Sequence, residues 1–533
     1  MSAPVGSPPV GSPPVGPAVG IDLGTSSSVV AVVDADGMPR ILTTEEGSTT
    51  MPSLVWFADD GPRVGDAARP GLDTSPDQTI FGAKRLLGRR FDHPEIKRLA
   101  RVLPYELVEA PNGDTWIRLS TGRAISPEEV CALVLRELRR TAEAFLKTTV
   151  TRAVLTIPAW YDAAQRQATK DAAQIAGLTV LRLLSEPTAA ALGYGAHRGT
   201  DRKYVVCDLG GGTFDVAAVD VAGGIFEVLA TTGDPFLGGD DIDRAIVEQL
   251  LRDVRATRGI DISDDSVAVE KLRLAAQTAK HDLSGAPSAI LAVSALAQLP
   301  SGKPVEYSRT LQRSDIELWS APLIARLEAP LREAIARADR PVAELQDVLL
   351  VGGMTRMPAV RREIARVLGR EPHILENPEE VVAIGAALEV ARLEGTITGI
   401  LLVDVASRGV SISTAGGDCE LVIAQSSVVP TREHRVFATS QDSQARIEFD
   451  VWEGESPDAE HNRHLGRYAA VDLPEATAGD VLVLVELTLD TDGTVRLGAT
   501  ELVTSERLQL EQVFHAGLAR ADVARLAREW AVP

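Results

Sequence analysis

The residues that could do chemistry stand in two short stretches, Gly20-Ile21-Asp22-Leu23-Gly24-Thr25 and Cys207-Asp208-Leu209-Gly210-Gly211-Gly212-Thr213-Phe214-Asp215. Each sets a lone aspartate beside an apolar run and then small residues. A carboxylate so placed can hold a hydrated metal ion, and glycines let backbone N–H groups approach phosphate oxygens with no Cβ in the way. One such loop is a weak signal, because an aspartate after a strand is usually a turn former and paired glycines usually tighten a loop. Two in matching context are stronger. Asp22 and Asp208 lie 186 positions apart, enough for one α/β lobe each. The pattern implies a two-lobed nucleotide clamp.

Elements to position those loops can be read along the chain. From Val19 to about Gly399, short β-branched runs alternate with longer helical stretches, as in α/β layering. Ala153 to Ile157 reads as a strand closed by Pro158, and Asp162 to Ala176 as a helix ending at Gly177. Ser266 to Leu283 is an amphipathic helix, Val348 to Val351 a buried strand running into Gly352-Gly353, and Val360 to Leu368 a helix stopped by Gly369. Gly193 to Gly195 and Gly223-Gly224 read as ordinary turns. After Gly399 two-residue alternation takes over to about Val503, which predicts an all-β domain. There Ile447, Phe449 and Val451 point one way, and Arg446, Glu448 and Asp450 the other. Asp490 to Gly493 is a hairpin turn. Leu518, Val523, Leu526 and Trp530 share one face of a last short helix.

The chain has 533 residues, room for about three domains of ordinary size. A net charge of −21 argues against nucleic acid or anionic membrane as a main partner, since both reward clustered Lys and Arg. Cys131, Cys207 and Cys419 are far apart with no CxxC spacing, and read as buried small hydrophobes rather than disulfide or zinc ligands. No run approaches the roughly 18–20 apolar residues that span a bilayer, and the start lacks a signal peptide's basic and apolar regions, so a cytoplasmic protein is the default. Pro4 to Pro17 repeats Pro, Val, Gly and Ser and reads as a disordered, partly polyproline II tail.

The order Ile21 to Thr25, Phe81-Gly82-Ala83-Lys84-Arg85, Thr156-Ile157-Pro158-Ala159, Ser185-Glu186 to Ala191, Asp208 to Asp215 and Val351-Gly352-Gly353-Met354-Thr355-Arg356 resembles the DnaK-type seventy-kilodalton heat-shock chaperones over essentially residues 19 to 510. The resemblance implies an α/β fold with a two-lobed actin-like ATPase of ribonuclease H-like lobes, then an all-β peptide-binding sandwich and a short C-terminal helix. It sets the ATPase domain at 19–398, after a tail at 1–18. A linker follows at 399–408, the sandwich at 409–506 and a truncated lid helix at 507–533. By position, Asp22 and Asp208 hold Mg²⁺ and K⁺, largely through water. Gly24, Thr25, Ser26, Gly210, Gly211, Gly212 and Thr213 cradle the phosphates of ATP or ADP. Lys84, Glu186, Asp208, Thr213 and Asp215 form the catalytic set. Gln277, Lys280, Ser284, Gly352, Gly353, Arg356 and Glu379 clasp the adenosine. Pro158 and Arg166 match the switch that reports nucleotide state, and Arg182 and Asp404 match positions that sense a J-domain co-chaperone. Ile412, Phe437, Ile447 and Phe449 fall at pocket-lining positions of the peptide site, with Ala415 and Ser440 at its arch. Each of the four apolar residues reads nearly as well as plain sandwich core.

The implied activity is an ATP-dependent chaperone of the stress-response type that grips unfolded, extended polypeptide, with a nucleotide-exchange factor as a further partner. The alternative is a specialised paralogue, a non-cycling holdase or an exchange-type regulatory binding protein. Departures from the family pattern bear on this choice. Gln277 replaces a glutamate on the ribose, which removes a charge-assisted hydrogen bond and predicts weaker nucleotide binding. Ser27 and Glu379 are milder changes, and Val405 to Gly409 lacks the usual linker continuation. Ala519 replaces a capping serine worth roughly 0.5–2 kcal/mol, and a short lid predicts fast peptide exchange, a narrow client set or reliance on another protein to trap clients.

Overall fold

The computed structural model describes residues 16–195, 201–298, 302–339, 344–375, 377–414, 418–512 and 517–531. Most of the Pro4–Pro17 tract, and Ala415, lie outside them. Two sheets of one plan build the first domain. In the first lobe the strand order is Thr179–Ser185, Arg152–Ile157, Ala18–Asp22, Ser27–Val33, Pro39–Ile41. In the second it is His373–Ile374, Asp347–Val351, Arg202–Leu209, Phe214–Ala222, Ile225–Asp234, continuing into Leu401–Val405 and Val428–Val429. In both, the acid-bearing strand pairs antiparallel with the strand after it and parallel with a strand from much later in the chain. These central strands are continuously apolar because helices cover both faces: Val19, Ile21, Val205 and Val206 are fully buried.

Helices Glu186–Gly195 and Val381–Leu393 cross between the lobes. Gly193, expected in a turn, lies inside the first of them. A Cβ on Gly193 would sit 2.4 Å from the Val381 carbonyl oxygen, and one on Gly385 would sit 1.8 Å from that of Ala189. Close helix approach, not positive φ, is what these glycines provide. Gly223-Gly224 is the expected turn, with φ of 57° and 83°.

The sandwich packs the five-stranded order Glu420–Ile423, Val410–Thr414, Ile447–Glu453, Arg463–Ala470, Leu510–Gln512 on the four-stranded order Thr431–Ala438, Leu482–Leu489, Val495–Glu501, Arg507–Leu508. Its end therefore falls beyond 506, and no single helix fills 507–533. Half-buried Leu508 and Leu510 pack on the sandwich core, so the chain stays extended, with Leu508 opposite Ala499 and Leu510 opposite Ala470. The helix is confined to Arg520–Glu529 and has no side-chain cap at Ala519. It does not cover the sandwich: Leu518, Val523 and Leu526 join the core of the first lobe beside helices Pro127–Leu146 and Ala163–Ile175. The guanidinium groups of Arg123 and Arg136 lie 5.7 and 5.5 Å from the centroid of the Trp530 ring, and its indole N–H donates to Glu129 Oε1 at 3.0 Å. The three cysteines are free and buried. Among the described residues no helix is long and apolar enough to cross a membrane.

Candidate active site

Asp22 ends one central strand and Asp208 lies one residue before the end of the other, so both loops open on one cleft of about 850 Å³. The cleft is lined by Asp22, Gly24, Thr25, Ser26, Lys84, Glu186, Asp208, Gly210, Gly211, Thr213, Gln277, Lys280, Gly352, Gly353 and Glu379, residues drawn together from across 358 positions. The loops can approach one another because they lack side chains. A Cβ on Gly211 would fall 1.9 Å from Ser26 Oγ, and one on Gly238 would fall 2.4 Å from the Gly211 backbone. Gly210 has open space where its Cβ would be, as suits a bare backbone facing a ligand. Gly212 backs this surface, against Thr25.

Lys84 is the middle residue of a short 3₁₀ turn, Ala83–Arg85, that begins from left-handed Gly82, with φ of 66°. Its ammonium donates to Glu186 Oε1 at 2.5 Å, and both groups are buried. Three further acids crowd this pair. Asp22 accepts from Thr156 Oγ1 at 2.7 Å, Asp215 accepts from the Ala159 N–H at 2.7 Å, and Asp208 is 7% exposed. Burial, then the Glu186 charge, pushes both Asp22 and Asp215 up to about 7, and burial with the neighbouring acids raises Asp208 well above the usual carboxylate range. Burial alone would depress the Lys84 amine, but Glu186 and Asp22 hold it charged and raise it. One ammonium facing four carboxylates leaves an excess of negative charge out of water, which is stable only with added protons or a cation. Among the described residues no group of three or more His, Cys, Asp or Glu side chains is arranged to hold a metal directly. The acids and the bare loops together fit a hydrated cation with phosphates.

Two of the residues expected around the adenosine, Ser284 and Arg356, stand behind the residues that line the cleft. Ser284 hydroxyl donates to the Lys280 carbonyl at 3.1 Å, and Arg356 makes a two-pronged pair with Glu379 at 3.0 and 2.9 Å on the outer edge. Lys280 is itself buried, held by Asp243 at 2.7 Å and the Gly239 carbonyl at 3.1 Å. The sequence reading missed Asp243, and Thr156 as the partner of Asp22. The run of acids after Gly238-Gly239 and the threonine before Pro158 were the available signals.

Pro158 borders a small cavity beneath Lys84 with Trp160, Tyr161, Thr213 and Asp215. Arg166 donates to the Tyr161 carbonyl at 2.9 Å, the Asp492 carbonyl at 2.8 Å and Ser407 Oγ at 3.0 Å, so it touches the first lobe, sandwich and linker at once. Arg182 pairs with Glu389 at 2.7 Å beside half-buried Asp404. The linker strand Leu401–Val405 runs parallel to Ile225–Asp234 and antiparallel to Val428–Val429, so one sheet crosses the domain boundary. In the sandwich Ile412, Ile447 and Phe449 are core residues, while Phe437 is half-buried and stacks on Phe449 at 6.0 Å. Ser440 is exposed, its N–H donating to Gln444 Oε1 at 2.8 Å.

Twin lobes that bring acid-bearing glycine loops to one cleft, joined by a shared sheet to an antiparallel sandwich, define a two-lobed actin-like fold followed by a β-sandwich domain. The model of the Hsp70 protein family matches residues 18–531, and the chain belongs to the Hsp70 family. Members of that family are chaperone-type ATPases that bind ATP or ADP with Mg²⁺ and work on client polypeptides with co-chaperones.

Proposed function

We propose that this chain hydrolyses ATP in the cleft and uses nucleotide state to set the affinity of its sandwich for extended, unfolded polypeptide. The observation that carries this reading is the buried Lys84–Glu186 pair at 2.5 Å among three further acids. Phosphoryl transfer to water needs charge neutralisation and a positioned nucleophile more than covalent help. Asp22 and Asp208 would hold Mg²⁺, and K⁺ beside it, through water; the bound metal supplies positive charge at the phosphoryl oxygens. Backbone N–H groups of Gly24 to Ser26 and Gly210 to Thr213 hold the phosphates. The Lys84 ammonium orients the γ-phosphate and the attacking water, and Asp215 and Glu186 hold that water's protons. Gln277 gives the ribose a neutral partner, so nucleotide binds less tightly than a glutamate would allow.

The sandwich takes its client as a strand-like segment around Ile412, Phe437, Ile447 and Phe449. Arg182 and Asp404, beside the docked linker, are the site for a J-domain partner, and an exchange factor and a cytoplasmic location go with this reading. Single-turnover ATP hydrolysis in wild type and Lys84→Ala, with and without an unfolded peptide, tests it, alongside release of a labelled peptide in ATP and ADP. Hydrolysis lost in Lys84→Ala and faster peptide release in ATP support the cycle. A wild type that hydrolyses nothing, or releases peptide at one rate in both nucleotides, rejects it.

A further inference from the structure

Residues Ala159 to Asp162 join the strand Arg152–Ile157 to the helix Ala163–Ile175, and their contacts alternate between two parts of the molecule. The Ala159 N–H donates to Asp215, which borders the small cavity beneath Lys84, at 2.7 Å. The Trp160 ring carries the guanidinium of Arg408, from the end of the linker, 4.6 Å from its centroid. The Tyr161 hydroxyl turns back and donates to the carbonyl oxygen of Lys84 at 3.0 Å. Asp162 takes Arg463 of the sandwich as an ion-pair partner, with Arg89 at 3.5 Å. Tyr161 is 4% exposed and held at both ends, because its own carbonyl accepts from Arg166, whose other nitrogens bond Asp492 and Ser407.

We propose that Tyr161 is a positioning residue for Lys84, and that the sandwich grips this strip through Arg408 on Trp160 and through Arg166, so that docking sets where the Lys84 ammonium lies. A fully apolar ring would fill the same space without fixing the Lys84 backbone. The hydroxyl is what ties the turn Ala83–Arg85 to a segment that the second domain holds from its other side. The inference rests on the hydrolysis proposed above and adds the Tyr161 hydroxyl as the group that fixes the Lys84 turn.

The test is a double-mutant cycle in the full chain, with Tyr161→Phe, Arg408→Ala and the two combined. Single-turnover ATP hydrolysis and nucleotide affinity are measured on each. Tyr161→Phe is expected to slow hydrolysis about tenfold with affinity unchanged, since positioning acts on the transition state rather than on ground-state binding. Arg408→Ala is expected to slow it about threefold alone and to add nothing in the Tyr161→Phe background. Arg408→Lys, which keeps the charge and loses the flat stacking group, is expected to match Arg408→Ala. Losses that multiply, an unchanged rate in Tyr161→Phe, or a wild-type rate in Arg408→Lys would each overturn the proposal. Labelling of Lys84 by an amine-reactive reagent, read by peptide mass without nucleotide, needs no turnover and is expected to rise severalfold in both single variants. Equal labelling in all chains overturns the positioning role. Raised labelling beside a wild type that hydrolyses nothing upholds it and rejects only the ATPase reading.

Discussion

Two sets of buried acids in this molecule have opposite surroundings. In the sandwich, Asp450 is 5% exposed and meets two basic side chains: Arg467 at 3.0 and 2.9 Å and His464 at 2.7 Å. Burial would raise it, yet these partners hold it below the usual carboxylate range. At the cleft and the small cavity beneath it, Asp22, Glu186, Asp208 and Asp215 share the amine of Lys84, and three of them are raised. A buried carboxylate supplied with its counter-charges is a structural joint. A cluster left short of them is a place kept for a ligand, and its repulsion is tolerated for that purpose.

The contrast can be broken most forcefully at Lys84. Replacing it with alanine is expected to lower single-turnover hydrolysis by at least about a hundredfold, because among the described residues it is the positive group that pairs with these acids; a rate within a factor of three of wild type refutes its placing. Asp450→Asn is expected to cost about 1–2 kcal/mol, discounted for the partial exposure of its partners, and to lower the midpoint of thermal unfolding. In the cleft the sign reverses. Asp22→Asn should raise the ligand-free melting temperature by about 3 °C while abolishing the stabilisation given by Mg²⁺ with nucleotide, both read by calorimetry. A lower ligand-free melting temperature in Asp22→Asn would erase the distinction between the two regions.

The smallest effect is on pH dependence. Asp22 and Asp215 sit near 7 in the folded chain against 3.8 for a free aspartate. Folding therefore favours their protonated forms. This contribution is complete below about pH 4 and is lost as pH rises through 7. Ligand-free protein should melt lower at pH 8 than at pH 6, and Mg²⁺ with nucleotide should narrow the gap and release protons. Calorimetry in buffers of different ionisation enthalpy reads that release; proton uptake instead would overturn the assignment.

Much of this cleft was legible because its parts are local. A lone aspartate, a run of glycines and a strand before them are neighbours in sequence, so their chemistry shows before any folding. Residues whose roles depend on distant partners were not legible. Gly193 reads as a turn until Val381, far along the chain, is seen packed against it. Nothing local in the sequence marks the Tyr161 hydroxyl as a partner of Lys84, or Arg463 as a partner of Asp162 across the domain boundary. Ile447, Phe449 and Val451 announced their strand by alternation, whereas Asp450, expected on the polar side, is buried because Arg467 and His464 come to it.

The placement of the last helix has a mechanical consequence. Asn112 donates to the Gly517 carbonyl and the Gly517 N–H donates to Asp114, so that point belongs to the first lobe. Gln512 ends a strand of the sandwich. The five residue steps between them reach at most about 18 Å when fully drawn out. At its other end the same sandwich hangs from the sheet of the second lobe through Leu401–Val405. A body leashed to both jaws of a clamp cannot swing clear of either, and any scissoring of the jaws must reach it as a twist.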